Sequence, residues 1–341
     1  MTTSTSKVDL AAFDDRLDKL VSLDIGGRGV EHLHAAARSL IGKPLVGAAA
    51  DALAAVPKGS TVLVTTGSVS RAWISASVGE NDGPAGAAAI VRALSLAKQA
   101  LCVVLAEATL LDSLGAVLTS AGLTVLPIEQ ARIASKDGSL AVVSLQAFPV
   151  EDDEAKVAAT QVLDELKPVL LFSTERVGRN EQGIYHSMRG IDYGMKRARI
   201  DFVFDEAIKR GIPTVAVGDG GNEIGMGLIA EAVRKHVKFG DKCACECGAG
   251  IGAVTGADVL VTAACSNWGC YAIAAALAMR QGDARLLHTP ELEAELLRRG
   301  VDVGLINSVV GIIDPNVDGI PVSSHLAMVE MLRAIVRPVV R

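Results

Sequence analysis

Aromatic side chains are scarce in this 341-residue chain: two Trp, three Tyr and six Phe, 3% of the total. A sequence this poor in flat faces is not built to stack nucleobases. A basic excess is missing as well, since 33 Lys and Arg stand against 39 Asp and Glu for a formal charge of −6. Together these absences exclude nucleic acid as a partner. No apolar run reaches the ~20 residues of a membrane span without Gly or charge interrupting it, so the chain is expected to be soluble and off the membrane. Met1 to Lys19 carries acids and no apolar signal core, which leads to an expected cytoplasmic location.

Two nucleotide-binding signatures are also missing. The segment Gly218-Asp219-Gly220-Gly221-Asn222-Glu223 has Glu where a dinucleotide fingerprint needs its third glycine, and no Gly-Lys-Ser/Thr phosphate loop occurs. Ordinary NAD or ATP binding is therefore not supported. Six cysteines are present, three of them as Cys243-x-Cys245-x-Cys247 with Cys265 and Cys270 downstream. Metal sites favour C-x2-C spacing with a matched histidine pair, and neither is found here. In a reducing compartment such residues are expected as free thiols.

What is present is a large core. Half the residues are hydrophobic and 21% charged, enough for one large domain or two fused ones. Strand-like and helix-like patterns alternate along most of the chain. Strands are expected over Thr61–Thr65, Leu101–Leu105, Leu123–Pro127, Leu140–Ala147, Val169–Ser173, Ile212–Val217 and Asp258–Ala263. Helices are expected over Ala85–Gln99, Thr109–Ser120, Glu151–Leu166, Met195–Arg210, Leu228–Val233 and Asn267–Met279. Such alternation predicts an α/β fold: a doubly wound, mostly parallel sheet with helices on both faces. Residues 1–24 read as an N-terminal extension or helix and 25–341 as the main domain, with a seam between two fused halves at the acidic stretch 148–154.

In such sheets the chemistry sits in the loops after the strands. The glycine run from Gly218 to Gly227 follows an apolar strand and leads into a helix, and it holds Asp219, Asn222 and Glu223. Glycines let backbone approach a ligand closely, and a helix start offers free N–H groups, so Gly220 and Gly221 become candidate ligand contacts. Glu80 and Asp82 follow the first strand, with Asp82 also readable as a cap before Pro84. The segment from Glu175 and Arg176 through Asn180, Tyr185, His186 and Arg189 is dense in ionisable groups, and its arginines offer forks suited to a substrate carboxylate. Ser266 and Asn267 open a helix, and Asp318 lies in a turn. His325 reads as structural.

These motifs in order, Glu80-Asn81-Asp82-Gly83-Pro84, Glu175-Arg176 through Tyr185 to Gly190, Gly218 to Gly227, Ser266-Asn267-Trp268-Gly269 and Val317-Asp318-Gly319, resemble the D-glutamate cyclase family. Gly27-Arg28-Gly29 and the strand ending in Thr66-Gly67 fit as well, so the resemblance runs from about Ile25 to the C-terminus. It implies a hydro-lyase that converts D-glutamate to 5-oxo-D-proline with loss of water. Asn81 stands where the family pattern has threonine, Ser68-Val69-Ser70-Arg71 replaces a more apolar stretch, Cys270 replaces glycine, and the cysteine run is unusual.

That reaction needs a carboxylate to take a proton from the α-amine, for which Glu223 and Asp219 are the first candidates. It needs an acid for the departing hydroxide, with Glu175, Asp82 or His186 in view, and donors such as Arg176, Arg189 or backbone N–H groups for the oxyanion. No ATP is required by the sequence. A divalent cation, Mg or Mn, would sit on Asp219, Asn222 and Glu223. The expected partner is a small anionic amino-acid-like substrate, and self-association into a homo-oligomer fits a parallel sheet of this size. The alternatives are a related lyase, racemase or hydrolase acting on another small acid, and a non-catalytic sensor of an anionic metabolite.

Overall fold

A computed structural model describes residues 9–340. The chain opens with three helices, α1 (Leu10–Val21), α2 (Val30–Ile41) and α3 (Leu45–Ala54). Then β1 (Thr61–Thr66), α4 (Pro84–Lys98), β2 (Leu101–Ala106), α5 (Leu111–Ser120), β3 (Thr124–Val125), α6 (Ile128–Asp137) and β4 (Val142–Ala147) wind one half of the sheet. α7 (Asp152–Leu166) carries the chain across to β5 (Leu170–Thr174), α8 (Asp201–Lys209), β6 (Thr214–Gly218), α9 (Ala230–His236) and β7 (Val259–Thr262). α10 (Ser266–Gln281), α11 (Pro290–Asp302) and α12 (Val322–Val336) complete the fold.

All seven strands are parallel, in the order β3-β4-β2-β1-β5-β6-β7. Apolar side chains alternate along them because successive residues of a strand point to opposite faces. Val62, Val64, Cys102, Val104 and Phe172 join the core under the N-terminal helices, α4 and α10 to α12. Leu63, Leu101, Val103, Leu105 and Leu171 join the core under α7 and α8. The sheet is thus covered on both sides, as its near-continuous Val/Leu strands require. α10 is buried all round, with 14 of its 16 residues inside. Its run of alanines lets α3 and α4 pack closely against it, while Gly269 lets it approach Val217 and Val261 of the sheet. Among the described residues no helix is long and apolar enough to cross a membrane.

The expected strands are present, although the span Leu123–Pro127 shortens to Thr124–Val125. The helix expected over Met195–Arg210 begins only at Asp201. The cause is tertiary: Lys196 takes a left-handed backbone (φ 57°), and Arg197 and Ala198 are drawn down to bond Ser68, Val69 and Glu107. The stretch 148–154 falls at the crossing from β4 to α7, where the winding direction reverses, and β1 and β5 pair directly on either side of the reversal. A parallel sheet that reverses its winding opens a crevice at the carboxyl ends of the two strands involved. Here those are β1 and β5.

Candidate active site

Carboxylates converge on that crevice from several loops. Glu80 and Asp82 follow β1, Glu175 follows β5, and Asp219 and Glu223 follow β6. Asp318 comes from the turn before α12, and Arg28 from the α1–α2 connection. Glu175 (φ 54°) and Asp318 (φ 54°) both hold a left-handed backbone that non-glycine residues rarely adopt. Strain of this kind persists only where the surroundings impose it, and it clusters at functional sites.

Two helix starts meet at Asp82. Its carboxylate accepts from the backbone N–H of Gly83 at 2.8 Å, Ser266 at 3.3 Å and Asn267 at 3.2 Å, the last two being the first turn of α10. In return Asn267 Oδ1 accepts from the N–H of Gly83 at 3.1 Å and Gly86 at 2.7 Å, at the start of α4. Each loop therefore supplies the other's missing helix-cap acceptor. The approach is so close that a Cβ on Gly83, whose φ is 93°, would meet Thr66 Oγ1 at 2.6 Å. Ser266 then donates from its hydroxyl to Glu175 Oε2 at 2.5 Å.

The glycine loop is organised by its own acid. Glu223 Oε1 accepts from the N–H of Asp219 at 3.1 Å and Gly220 at 2.7 Å, and Oε2 accepts from the N–H of Gly221 at 2.7 Å. Gly221 is needed for its positive φ of 101°, which turns its N–H inward. With Glu223 occupied in this way, Asp219 is the side chain that projects, and Arg28 Nη1 reaches it at 2.8 Å and Asp318 at 2.9 Å. Arg28 is itself held by Asp24, whose carboxylate accepts from the N–H of Arg28 at 2.9 Å and Gly29 at 2.7 Å.

So many acids in one dry crevice cannot all ionise easily. Burial, with Asp318 next, pushes Asp82 up to about 8. Burial raises Glu80 to about 7, against the opposing pull of Arg197. Burial holds Glu175 well above the usual carboxylate range, with Asp219, Asp82 and Glu223 adding to it. Asp219 is also raised well above that range by burial, although Arg28 works against the shift. Near neutral pH the crevice thus holds protonated carboxyl groups able to donate hydrogen bonds.

A cavity of about 210 Å³ opens onto this cluster, smaller than the ~300–1,000 Å³ of clefts for drug-sized ligands. Of the residues nominated from the sequence, Glu80, Glu175, Arg189, Asp219, Asn222 and Asp318 line it. Asp82 lies beside it, with oxygens of Asp82, Glu175 and Asp219 within 4.8 Å of one another. Ser266, Asn267, Gly220 and Gly221 support the acids through the bonds above.

Four nominees are placed elsewhere. Arg176 is fully buried in a bidentate pair with Glu107 at 2.9 and 2.7 Å and donates to the Gly67 carbonyl at 3.0 Å, so it braces the ends of β1 and β2. Tyr185 donates to Asp201 at 2.6 Å in the interior. Asn180 ties its own loop, accepting from the N–H of Gln182 and Ile184 at 3.0 Å each. His186 is buried with its Nε2 3.2 Å from Cys245 Sγ, turned from the cavity. The carboxylates placed to share a divalent cation are Asp82, Glu175 and Asp219. Glu223 fits that role poorly, because both its oxygens are engaged by backbone N–H groups; Asn222 lines the cavity and donates its amide N–H to the His186 carbonyl at 2.7 Å, a bond that does not use Oδ1, the atom that would ligate.

Arg28, Trp73 and Tyr193 also border the cavity, as does Arg71, which belongs to the Ser68–Arg71 stretch that departs from the family pattern. Arg28 carried a weak signal, a lone arginine between glycines. Arg71 (φ 55°) donates only to Ser70 Oγ and the Ser308 carbonyl, so its guanidinium has no carboxylate partner among these bonds.

Residues 17–333 match the family model described as D-glutamate cyclase-like, C-terminal. The chain belongs to this family. It is also 28% identical over 347 aligned positions to a human protein named D-glutamate cyclase, mitochondrial, covering 93% of this chain and 50% of that protein. The chain thus spans about half the length of this D-glutamate cyclase relative. The motifs that carried the resemblance fall at the carboxyl ends of β1, β5, β6 and β7 and in the loop before α12, around one crevice.

Proposed function

We propose that this chain closes D-glutamate into 5-oxo-D-proline with loss of water. The supporting observation is the cluster of raised-pKa carboxyls, Asp82, Glu175 and Asp219, facing a small cavity that also presents Arg71 and Arg189, in a member of a family named for that cyclisation. The α-nitrogen forms a bond to the side-chain carboxyl carbon while one C–O bond breaks. Two protons leave the ammonium and two arrive on the departing oxygen as water, so no outside acid, base or ATP is consumed. The residues must therefore pass protons across a distance of one substrate.

Asp219 is the group to accept from the amine: burial raises it above the usual carboxylate range, and Arg28, bonded to it, draws it back toward the ionised form. Glu175, kept neutral by burial and its neighbours and fixed by Ser266, is the group to protonate the leaving oxygen. Arg71 and Arg189 would hold the substrate carboxylate at the cavity mouth. Packing amine and carboxyl into one small volume lowers the barrier by proximity. The Gly220 and Gly221 N–H groups already bond Glu223, so the oxyanion must be met by neutral acids or by a cation shared among Asp82, Glu175 and Asp219.

NMR of the protein with D- and L-glutamate, with and without EDTA, tests this directly. 5-Oxoproline is expected from the D isomer, and Asp219→Asn and Glu175→Gln should each slow it by about 10²-fold or more. Loss of turnover in EDTA that added Mg²⁺ or Mn²⁺, but not Zn²⁺, restores would put a cation on the acids. No product from either isomer would overturn the substrate and move the reaction to another small amino or hydroxy acid. Full turnover in both variants would overturn the roles.

A further inference from the structure

The loop from Phe239 to Gly250 lies against the segment that forms one cavity wall, and the cyclisation chemistry does not use its three cysteines, of which Cys243 is buried at the edge of the core and Cys245 and Cys247 pack against it. Alternate residues on a flat strand would stand too far apart to share an ion, but this loop is curled. The Gly190 carbonyl accepts from the N–H of Ala244 at 2.8 Å and Cys245 at 3.2 Å, and Ile251 N–H returns to the Phe239 carbonyl at 3.0 Å. The curl brings the sulfurs of Cys243, Cys245 and Cys247 to 3.4, 3.3 and 3.4 Å from one another. His186 Nε2 joins them at 3.2 Å from Cys245 and 3.6 Å from Cys247, across 59 and 61 residues of sequence.

We propose that His186, Cys243, Cys245 and Cys247 form a tetrahedral zinc site. A tetrahedral ion with Zn–S of ~2.3 Å and Zn–N of ~2.0–2.1 Å sets sulfurs about 3.8 Å apart and nitrogen about 3.5 Å from sulfur. The observed spacings lie within about half an ångström of those figures, and well beyond the ~2.0 Å of a disulfide. Three thiolates and one imidazole select zinc over magnesium or manganese. An iron–sulfur cluster fits less well, because its thiolates sit on different irons and cannot all crowd a single point. Asn180 supplies outer support, donating to Cys247 Sγ at 3.5 Å and to the Gly250 carbonyl at 2.9 Å.

The site would act on the cavity by position. Ser187, Met188, Arg189 and Ile191 line the cavity directly after the ligand His186. The His186 carbonyl accepts from Asn222, and Gly190 holds the cysteine loop. The ion would therefore pin the root of that wall. This spacing is not the C-x2-C pattern that sequence scanning looks for, and the fourth ligand comes from a distant loop.

Metal analysis of the full chain expressed in zinc-supplemented medium, with replacement by Co²⁺, tests the site without relying on any activity. About one zinc per chain is expected, and bound cobalt should show thiolate charge-transfer and tetrahedral d–d bands. Cys243→Ser with Cys247→Ser, and separately His186→Ala, should cut bound metal at least about tenfold, while Cys102→Ser in β2 and Glu175→Gln keep it. If the double variant does not fold, the cobalt spectrum of the wild type decides. Absence of tightly held zinc and of the cobalt–thiolate band in the wild type would overturn the site. So would iron with sulfide in its place, or metal that leaves with Glu175→Gln and stays in the cysteine variants.

Discussion

Glu223→Gln separates two roles that one carboxylate could play in the glycine loop. As a loop organiser, Glu223 accepts three backbone N–H groups with its two oxygens. Glutamine keeps one oxygen, which can still serve Asp219 and Gly220, but its NH2 would face the Gly221 N–H donor to donor. Each hydrogen bond to a charged group contributes about 1.5–3 kcal/mol and each neutral one about 0.5–1.5 kcal/mol. Two bonds weakened and one lost then come to roughly 5 kcal/mol. Unfolding entropy near 2.1 cal/mol/K per residue gives about 0.7 kcal/mol/K for a chain of this size, so Tm should fall by about 7 °C. Calorimetry of the substrate-free protein reads this effect alone. Turnover should fall as well, because Asp219 shifts with the loop, but the pH–rate profile should keep its shape. An unchanged Tm with turnover abolished would refute this reasoning and make Glu223 a proton carrier.

Three further outcomes follow from the same contacts. Glu80→Gln should gain stability over the wild type as pH rises: the native carboxyl is raised to about 7 from 4.5, so its ionisation costs stability between those pH values. The partial exposure of Glu80 trims the advantage to about 2 kcal/mol at pH 8, vanishing below about pH 4.5, and urea titrations at pH 4.5 and 8 measure it. Arg176→Met strands the buried Glu107 carboxylate and should cost about 3–5 kcal/mol in equilibrium unfolding at pH 7. Arg28→Met removes the cation that opposes the raised pKa of Asp219, so the acid limb of the kcat/KM profile should move to higher pH; a limb that stays put would dissociate Asp219 from the base role.

The sheet was legible because its signal is local. Buried parallel strands such as Leu101-Cys102-Val103-Val104-Leu105 are continuous apolar runs whatever the rest of the chain does. The crevice was legible too, since loops that follow those strands in a reversing sheet must converge. What could not be read locally was which way each polar side chain turns. Arg176 sits one residue from Glu175, yet faces the interior because Glu107 and two carbonyls wait there. The false helix start at Met195 has the same origin: helical periodicity continues through Lys196 and Arg197, but the buried acceptors at Ser68 and Val69 outweigh one turn of helix.

The acids show why composition at a site can mislead about roles. A loop with two carboxylates, Asp219 and Glu223, offers no sequence clue as to which one binds backbone and which one projects. The geometry separates them by counting donors: the carboxylate two residues beyond a run of glycines meets their inward N–H groups, and the one at the strand end meets Arg28. The first is then fixed as a structural anion, and its charge adds to the raised pKa of Glu175. Burial is what chiefly keeps Glu175 protonated near neutral pH, with Asp219 and Asp82 ahead of Glu223 among the neighbouring charges. Glu223 would thereby serve proton transfer chiefly by fixing the loop that presents Asp219, without itself giving or taking the proton.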